Sequence, residues 1–182
     1  MEDKKNQDLK LKELEKALQE QEGESLIKSI KKLESEGQAS LLPLLIKRAS
    51  ENEDEAVQKA IENILFSLKD SKSHPVLLEE LKKMPAIEFR KTLLAAIWNS
   101  KIDALPILDD LIRIAIEGDY YEAIEVYTIL DESEGEIIEE RVLDALLLMN
   151  EYKNSPDYKN DPKKELIDQI ASKLDLLNQG II

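Results

Sequence analysis

Apolar residues recur along this chain three and four positions apart, the spacing that lines up one face of an α-helix. Leu26, Ile27, Ile30 and Leu33 keep it, as do Val57, Ile61, Ile64, Leu65 and Leu68, and then Leu93, Leu94, Ile97 and Trp98. No stretch keeps the strict alternation of a half-buried strand. Start signals divide the pattern. Asn52 with Glu55, and Asp119 with Glu122, have capping-box spacing, with an acceptor at N-cap and a carboxylate three residues on. Asp161-Pro162 sets a capping acceptor before a first-turn proline, and Pro85 opens a helix near Ala86 in the same way. Ser73, Asp103 and Ser133 read as further N-caps. Stops fall at Gly23, Gly37, 70–73, 99–101, Gly118 and 134–135. The spacing predicts helices over 6–20, 24–35, 39–50, 53–69, 74–83, 86–99, 104–116, 119–131, 135–151 and 162–177, with 152–160 as a surface loop.

The helices repeat. Pro43, Pro75 and Pro106 are 32 and 31 residues apart, and each opens a similar phrase: Pro-Leu-Leu-Ile, Pro-Val-Leu-Leu and Pro-Ile-Leu-Asp. A further step of 31 reaches Ile137, which opens Ile-Ile-Glu-Glu-Arg-Val-Leu. Before the last three stand Ile64-Leu-Phe, Ala96-Ile-Trp and Thr128-Ile-Leu, each followed by a short polar loop. Two helices per period mark a helical solenoid, because one hairpin cannot bury its own apolar stripe and stacked hairpins bury all the stripes as one core.

The phrase Ala96-Ile-Trp-Asn-Ser-Lys-Ile-Asp-Ala-Leu-Pro-Ile-Leu resembles the turn and second helix of a short HEAT-like repeat, where Asp-x-x-Pro-x-Leu follows an apolar helix end. The resemblance covers 24–151 as four units and is best in the third. The first lacks the preceding phrase in clear form, and the fourth lacks its proline. It implies an all-α fold: a right-handed α–α superhelix of about four armadillo-type helix pairs in one domain, 1–182. Residues 1–22 would form a capping or frayed helix, 152–161 a loop, and 162–182 a C-terminal capping helix. Leu11, Leu14 and Leu18 share the face such a cap would use. Stacks of this family mostly serve as binding scaffolds. The DNA glycosylases that share the architecture work with a basic groove, which this chain does not offer. A tetratricopeptide array, whose Trp, Gly–Tyr and Ala signature does not fall in register, and a compact helical bundle are the alternatives.

Composition agrees with helix: 4% aromatic residues and five glycines are too few for a sandwich or barrel. With no cysteine, disulfides, thiolate catalysis and Cys-ligated metal sites are excluded. The apolar run 145–149 falls far short of the roughly 20 residues that span a bilayer. Residues 1–7 are polar, so a cytoplasmic protein without a secretory signal is expected, unless processing has removed one. The net charge is −14, and residues 101–151 hold fifteen Asp/Glu against three Lys/Arg, which concentrates twelve of those charges there. Such a field repels nucleic acid and attracts a basic protein or peptide, or simply keeps the chain in solution.

Catalytic patterns are missing. The glycines are isolated, so no phosphate loop is present, and the lone histidine, His74, forbids a His-Glu-x-x-His or diiron motif. His74 precedes Pro75 at a helix start, where a turn or capping role fits. Asp131-Glu-Ser-Glu-Gly-Glu lacks the twelve-residue calcium-loop pattern. No enzyme, cofactor or metal is therefore expected. Glu79-Glu80, Asp109-Asp110 and Glu139-Glu140 recur at intervals of 30, early in the second helix of their units, while the first unit carries Lys47-Arg48. In a solenoid the pairs would stack as an acidic ladder on the concave face; otherwise they complement helix dipoles on a solvated one. Trp98 follows core spacing. Tyr120 and Tyr121 are neighbours that cannot face the same way, so one is expected at the surface as a contact residue. The function expected is a non-enzymatic interaction scaffold that receives a basic or mixed-charge protein segment through these pairs and Tyr120/Tyr121. A structural or oligomeric component and a carboxylate-based enzyme are the alternatives.

Overall fold

The computed structural model describes residues 2–36, 39–51, 54–83 and 88–180, and the side chains from residue 9 onward except those of 34–36 and 88. Among the described residues there is no strand and there are ten α-helices: α1 Glu2–Glu20, α2 Gly23–Glu36, α3 Leu42–Glu51, α4 Glu55–Leu65, α5 Ser73–Lys83, α6 Glu88–Asn99, α7 Leu108–Glu117, α8 Tyr120–Asp131, α9 Glu139–Lys153 and α10 Lys164–Asn178. Three 3-10 turns, Ala39–Leu41, Leu105–Ile107 and Asp157–Asn160, lead toward α3, α7 and α10.

The chain divides into two compact units, Met1–Lys83 and Met84–Ile182. In the first, α1 packs on α2 and α3, α2 on α4, and α3 on α4 and α5. In the second, α6 packs on α8 and α8 on α10, while α7 packs on α8 and α9, and α9 on α10. Within each unit a helix therefore lies beside the next but one. The faces that meet are the predicted ones. Leu18, Leu26, Ile30, Ile61 and Leu65 are fully buried in the first unit, and Leu93, Leu94, Ile97, Leu111 and Ile112 in the second. Each such side chain contributes about 1.5–3 kcal/mol of burial free energy.

The repeated prolines occupy one structural place. Pro43 is second in α3, Pro75 third in α5, and Pro106 is central in the turn that runs into α7, while Ile137 lies two residues ahead of α9. A first-turn N–H has no partner within its helix, so its loss there costs little.

Caps follow prediction in part. Asp119 forms the expected box: its Oδ1 accepts the Glu122 N–H at 2.8 Å, and Glu122 Oε2 accepts the Asp119 N–H at 2.9 Å. The predicted box at Asn52 and the opening at Pro85 lie outside the described residues, as does the stop at Gly37. Helix α4 is capped by Asp54, which accepts from the Ala56 and Val57 N–H groups, and it ends at Leu65 rather than 69. Asp103 accepts the Leu105 N–H at 3.1 Å. Ser73 is already inside α5, and Asp70 accepts the Lys72 N–H just ahead of it. Ser133 does not start a helix. Its hydroxyl donates back to the Ile129 carbonyl at the end of α8, and α9 begins only at Glu139.

The expected loop 152–160 is instead largely structured. Helix α9 runs through Lys153, and a 3-10 turn follows. Tyr152 donates to Asp161 and Tyr158 to Asp168, each at 2.5 Å, and the two rings meet edge to face at 5.9 Å. The hydrogen bond to Asp168 holds the Tyr158 phenol protonated up to about 12. Asp161, read as the N-cap of α10, accepts the Lys163 N–H, and α10 starts at Lys164, beyond Pro162.

Helix α6 ends in a Schellman turn. The Ile102 N–H reaches the Ile97 carbonyl at 2.9 Å and the Lys101 N–H the Trp98 carbonyl at 3.1 Å. This places Lys101 at φ 52°, a left-handed conformation that favours glycine. Lys101→Gly is expected to stabilise the protein by about 0.5–1 kcal/mol, measured as a higher midpoint in chemical denaturation. An unchanged or lower midpoint would contradict the strain assigned to this turn.

Candidate functional site

The turn from α7 to α8 gathers three buried charges. Glu122, Arg90 and Lys163 retain 3%, 6% and 7% of their surface. Arg90 Nε donates to Glu122 Oε1 at 2.6 Å, while Glu122 Oε2 closes the Asp119 box. Lys163 Nζ donates to the carbonyls of Ala115, Ile116 and Gly118 at 2.9, 2.8 and 2.6 Å, so its three protons meet two carbonyls in the last turn of α7 and that of its C-cap. A cation suits the negative end of a helix dipole. Burial pushes the Lys163 ammonium below its ordinary range, and Asp161, Glu122 and Asp119 oppose that shift. Gly118 allows the approach, because a Cβ there would fall inside the Glu122 carboxylate and against the Ile114 carbonyl. Sequence spacing identified the Asp119–Glu122 pair but not Arg90 or Lys163, whose roles depend on contacts 32 and 45–48 residues away. Arg90 Nη2 is buried without a hydrogen-bond partner among the described residues. The remaining charged atoms point at one another and at backbone groups, which makes the corner structural.

The acidic pairs divide between the two units. In α5, Lys82 donates to Glu79 at 3.2 Å and Lys83 to Glu80 at 2.8 Å, and the Glu80 bond raises the Lys83 pKa. In the second unit, α7 and α9 pack together and Arg141 of α9 donates to Asp109 of α7 at 3.0 Å. Asp109 is thereby half-buried and neutralised, and Asp110 beside it is also half-buried. Glu139 and Glu140, opening α9, are exposed. Both Tyr120 and Tyr121 are at the surface rather than one of them, retaining 49% and 67% of their area, because they occupy the outer first turn of α8. Their rings meet edge to face at 6.3 Å, and Lys91 lies 5.6 Å from the Tyr121 ring. Trp98, expected in the core, is half-buried, and its Nε1 donates to Glu125 at 2.6 Å. His74 lies in the first turn of α5, its Nε2 buried without a hydrogen-bond partner among the described residues.

The sequence reading missed the outer face of α9. Val142, Ala145 and Met149 point into the unit, whereas Leu143 and Leu147 retain 53% and 59% of their surface. At 100° per residue the two leucines occupy the middle of the exposed sector. Glu140, Asp144 and Glu151 flank them on one side, and Glu139 with Asn150 on the other. A signal was present: five apolar residues in succession at 145–149 encircle a helix, and a helix packed on one side cannot bury them all.

A cleft of about 210 Å³ separates the turn after α6 from that after α8, with Ile97, Trp98 and Ile129 in its wall and Asp103 and Glu132 among its polar groups. Among the described residues no cluster of three or more His, Cys, Asp or Glu is arranged to hold a metal, and no helix is long and apolar enough to cross a membrane. Compared with protein-family models, curated proteins and solved structures, the chain matches none.

Two outcomes test the corner. Glu122→Gln, which leaves Arg90 buried beside a neutral group, is expected to cost about 3 kcal/mol in denaturant unfolding; a loss below about 1 kcal/mol would contradict its role. The second concerns pH. The Glu122 backbone N–H, and then the Lys91 ammonium, hold the Asp119 carboxyl below its ordinary range. With the folded value the lower, its stabilisation is complete above the unfolded carboxylate range and is lost as pH falls through the folded value. Asp119→Asn is therefore expected to flatten the acid side of the stability–pH profile; a profile of unchanged slope would contradict this.

Proposed function

We propose that the chain is a cytoplasmic, non-enzymatic module of HEAT-like helix pairs whose second unit receives a basic segment of another protein on its acidic surface. The repeat reading is supported by the recurring place of Pro43, Pro75, Pro106 and Ile137 at the openings of α3, α5, α7 and α9, and by the packing of alternate helices within each unit. The binding reading is carried by one contrast. Glu79, Glu80 and Asp109 have cationic partners within their own units, whereas Glu139, Glu140, Asp144 and Glu151 on the exposed face of α9 have none among the described residues. Like charges held together without counter-charges raise the local potential and draw a cationic partner. The proposed contact surface therefore centres on Glu139 and Glu140, with Asp110, Tyr120 and Tyr121 as further candidates. Asp109, Glu79 and Glu80 contribute less because their charges are already met.

A lysine-rich unstructured peptide is the direct probe. Its affinity, read by fluorescence anisotropy, is expected to fall about tenfold or more between about 50 and 300 mM salt. Glu140→Lys with Glu151→Lys is expected to abolish most of the low-salt binding, with the fold checked by circular dichroism. Affinity indifferent to both salt and charge reversal would overturn the reading.

A further inference from the structure

The acidic face of α9 carries more than charge. Leu143 and Leu147 are one helical turn apart, each more than half exposed, with carboxylates on both flanks. An isolated exposed leucine is ordinary. Two at i and i+4, on the side of α9 opposite Val142, Ala145 and Met149, form a short apolar ridge. Their exposure is not a by-product of a disordered end. Helix α9 packs on α7 and α10, and its last residue, Lys153, bridges Asp168 of α10 at 2.7 Å.

The chemistry of the ridge narrows its occupant. No strand is present among the described residues to offer an edge, so an extended peptide finds no backbone ladder to join. A flexible polybasic segment would use the carboxylates and leave the leucines in water. A second copy meeting this face through two-fold symmetry would set Glu139, Glu140, Asp144 and Glu151 against their own duplicates. What fits is a helix with its own leucine-type stripe at i, i+3, i+4 and i+7, lying along α9 as ridges settle into grooves. Lysine or arginine on both borders of that stripe would meet the acidic flanks.

Resting on the reading of the second unit as an acidic binding surface, we propose that the partner segment is a basic amphipathic α-helix that docks on the Leu143/Leu147 ridge of α9. The leucines select its apolar stripe, and Glu140, Asp144 and Glu151, with Glu139 opposite, select its flanking cations. Apolar burial then supplies the part of the affinity that survives salt, and charge supplies the part that does not.

Two synthetic peptides of about 18 residues, long enough to hold a helix, test this. Both contain the same leucines, lysines and alanines. One is ordered as an amphipathic helix, and the other is scrambled so that no apolar face forms. The intact chain is expected to bind the ordered peptide at least about tenfold more tightly than the scrambled one. Leu143→Ser with Leu147→Ser, both at exposed positions and checked by circular dichroism, is expected to remove that preference and leave scrambled-peptide binding unchanged. Glu140→Lys with Glu151→Lys is expected to weaken both peptides. If the serine variant keeps the preference, or if sedimentation shows that the leucines hold a dimer of this chain, the amphipathic-helix proposal falls while the acidic-surface reading stands. If charge reversal changes neither peptide, or neither binds, both fail.

Discussion

The α7–α8 corner depends on a charge balance assembled out of water. Burying a carboxylate, a guanidinium and an ammonium is costly unless each finds partners. Here Glu122 meets Arg90 and the Asp119 backbone, and Lys163 meets carbonyls of the last turn and C-cap of α7. Those contacts tie together α6, α7, α8 and the approach to α10. Gly118 is the steric condition, since any side chain there would push Glu122 away. With α7, α8 and α10 fixed, α9 has a bed on one side only, formed by α7 and α10. Its other side must face water, and what the sequence places there becomes a surface.

This separates the two kinds of charge in the second unit. Glu122, and in part Asp109, are absorbed by the packing, each against a cation from a neighbouring helix. Asp119 serves the box and meets Lys91. The carboxylates of α9 have no such duty. Their density around two exposed leucines gives unit two a surface that is both acidic and apolar.

Much of the fold was legible because the signals are local. Helical periodicity named the buried faces of α2, α4 and α6, and the Asp119–Glu122 spacing located a cap that proved reciprocal. Prolines at constant phase located the openings of alternate helices. Local signals failed where distant residues decide. Ser133 looked like an N-cap, but its hydroxyl is taken by the end of α8. The stretch after α9 looked like a loop because its order comes from Tyr152 and Tyr158 reaching Asp161 and Asp168. The acidic pairs were legible as a spacing, whereas the pairing of Asp109 with Arg141 was not. Leu143 and Leu147 carry the same helical spacing as core leucines. The apolar run 145–149 signals that part of α9 must face water, and the positions of α7 and α10 decide which part.

The central claim is that binding is localised on α9. Methyl-labelled leucine and isoleucine resonances, followed by NMR during titration with a leucine–lysine amphipathic peptide, test it most directly. The largest shifts are expected at Leu143 and Leu147, with core methyls such as Leu111 and Ile170 unmoved. Shifts centred on Ile124, beside Tyr120 and Tyr121, or spread evenly over the surface, would contradict it.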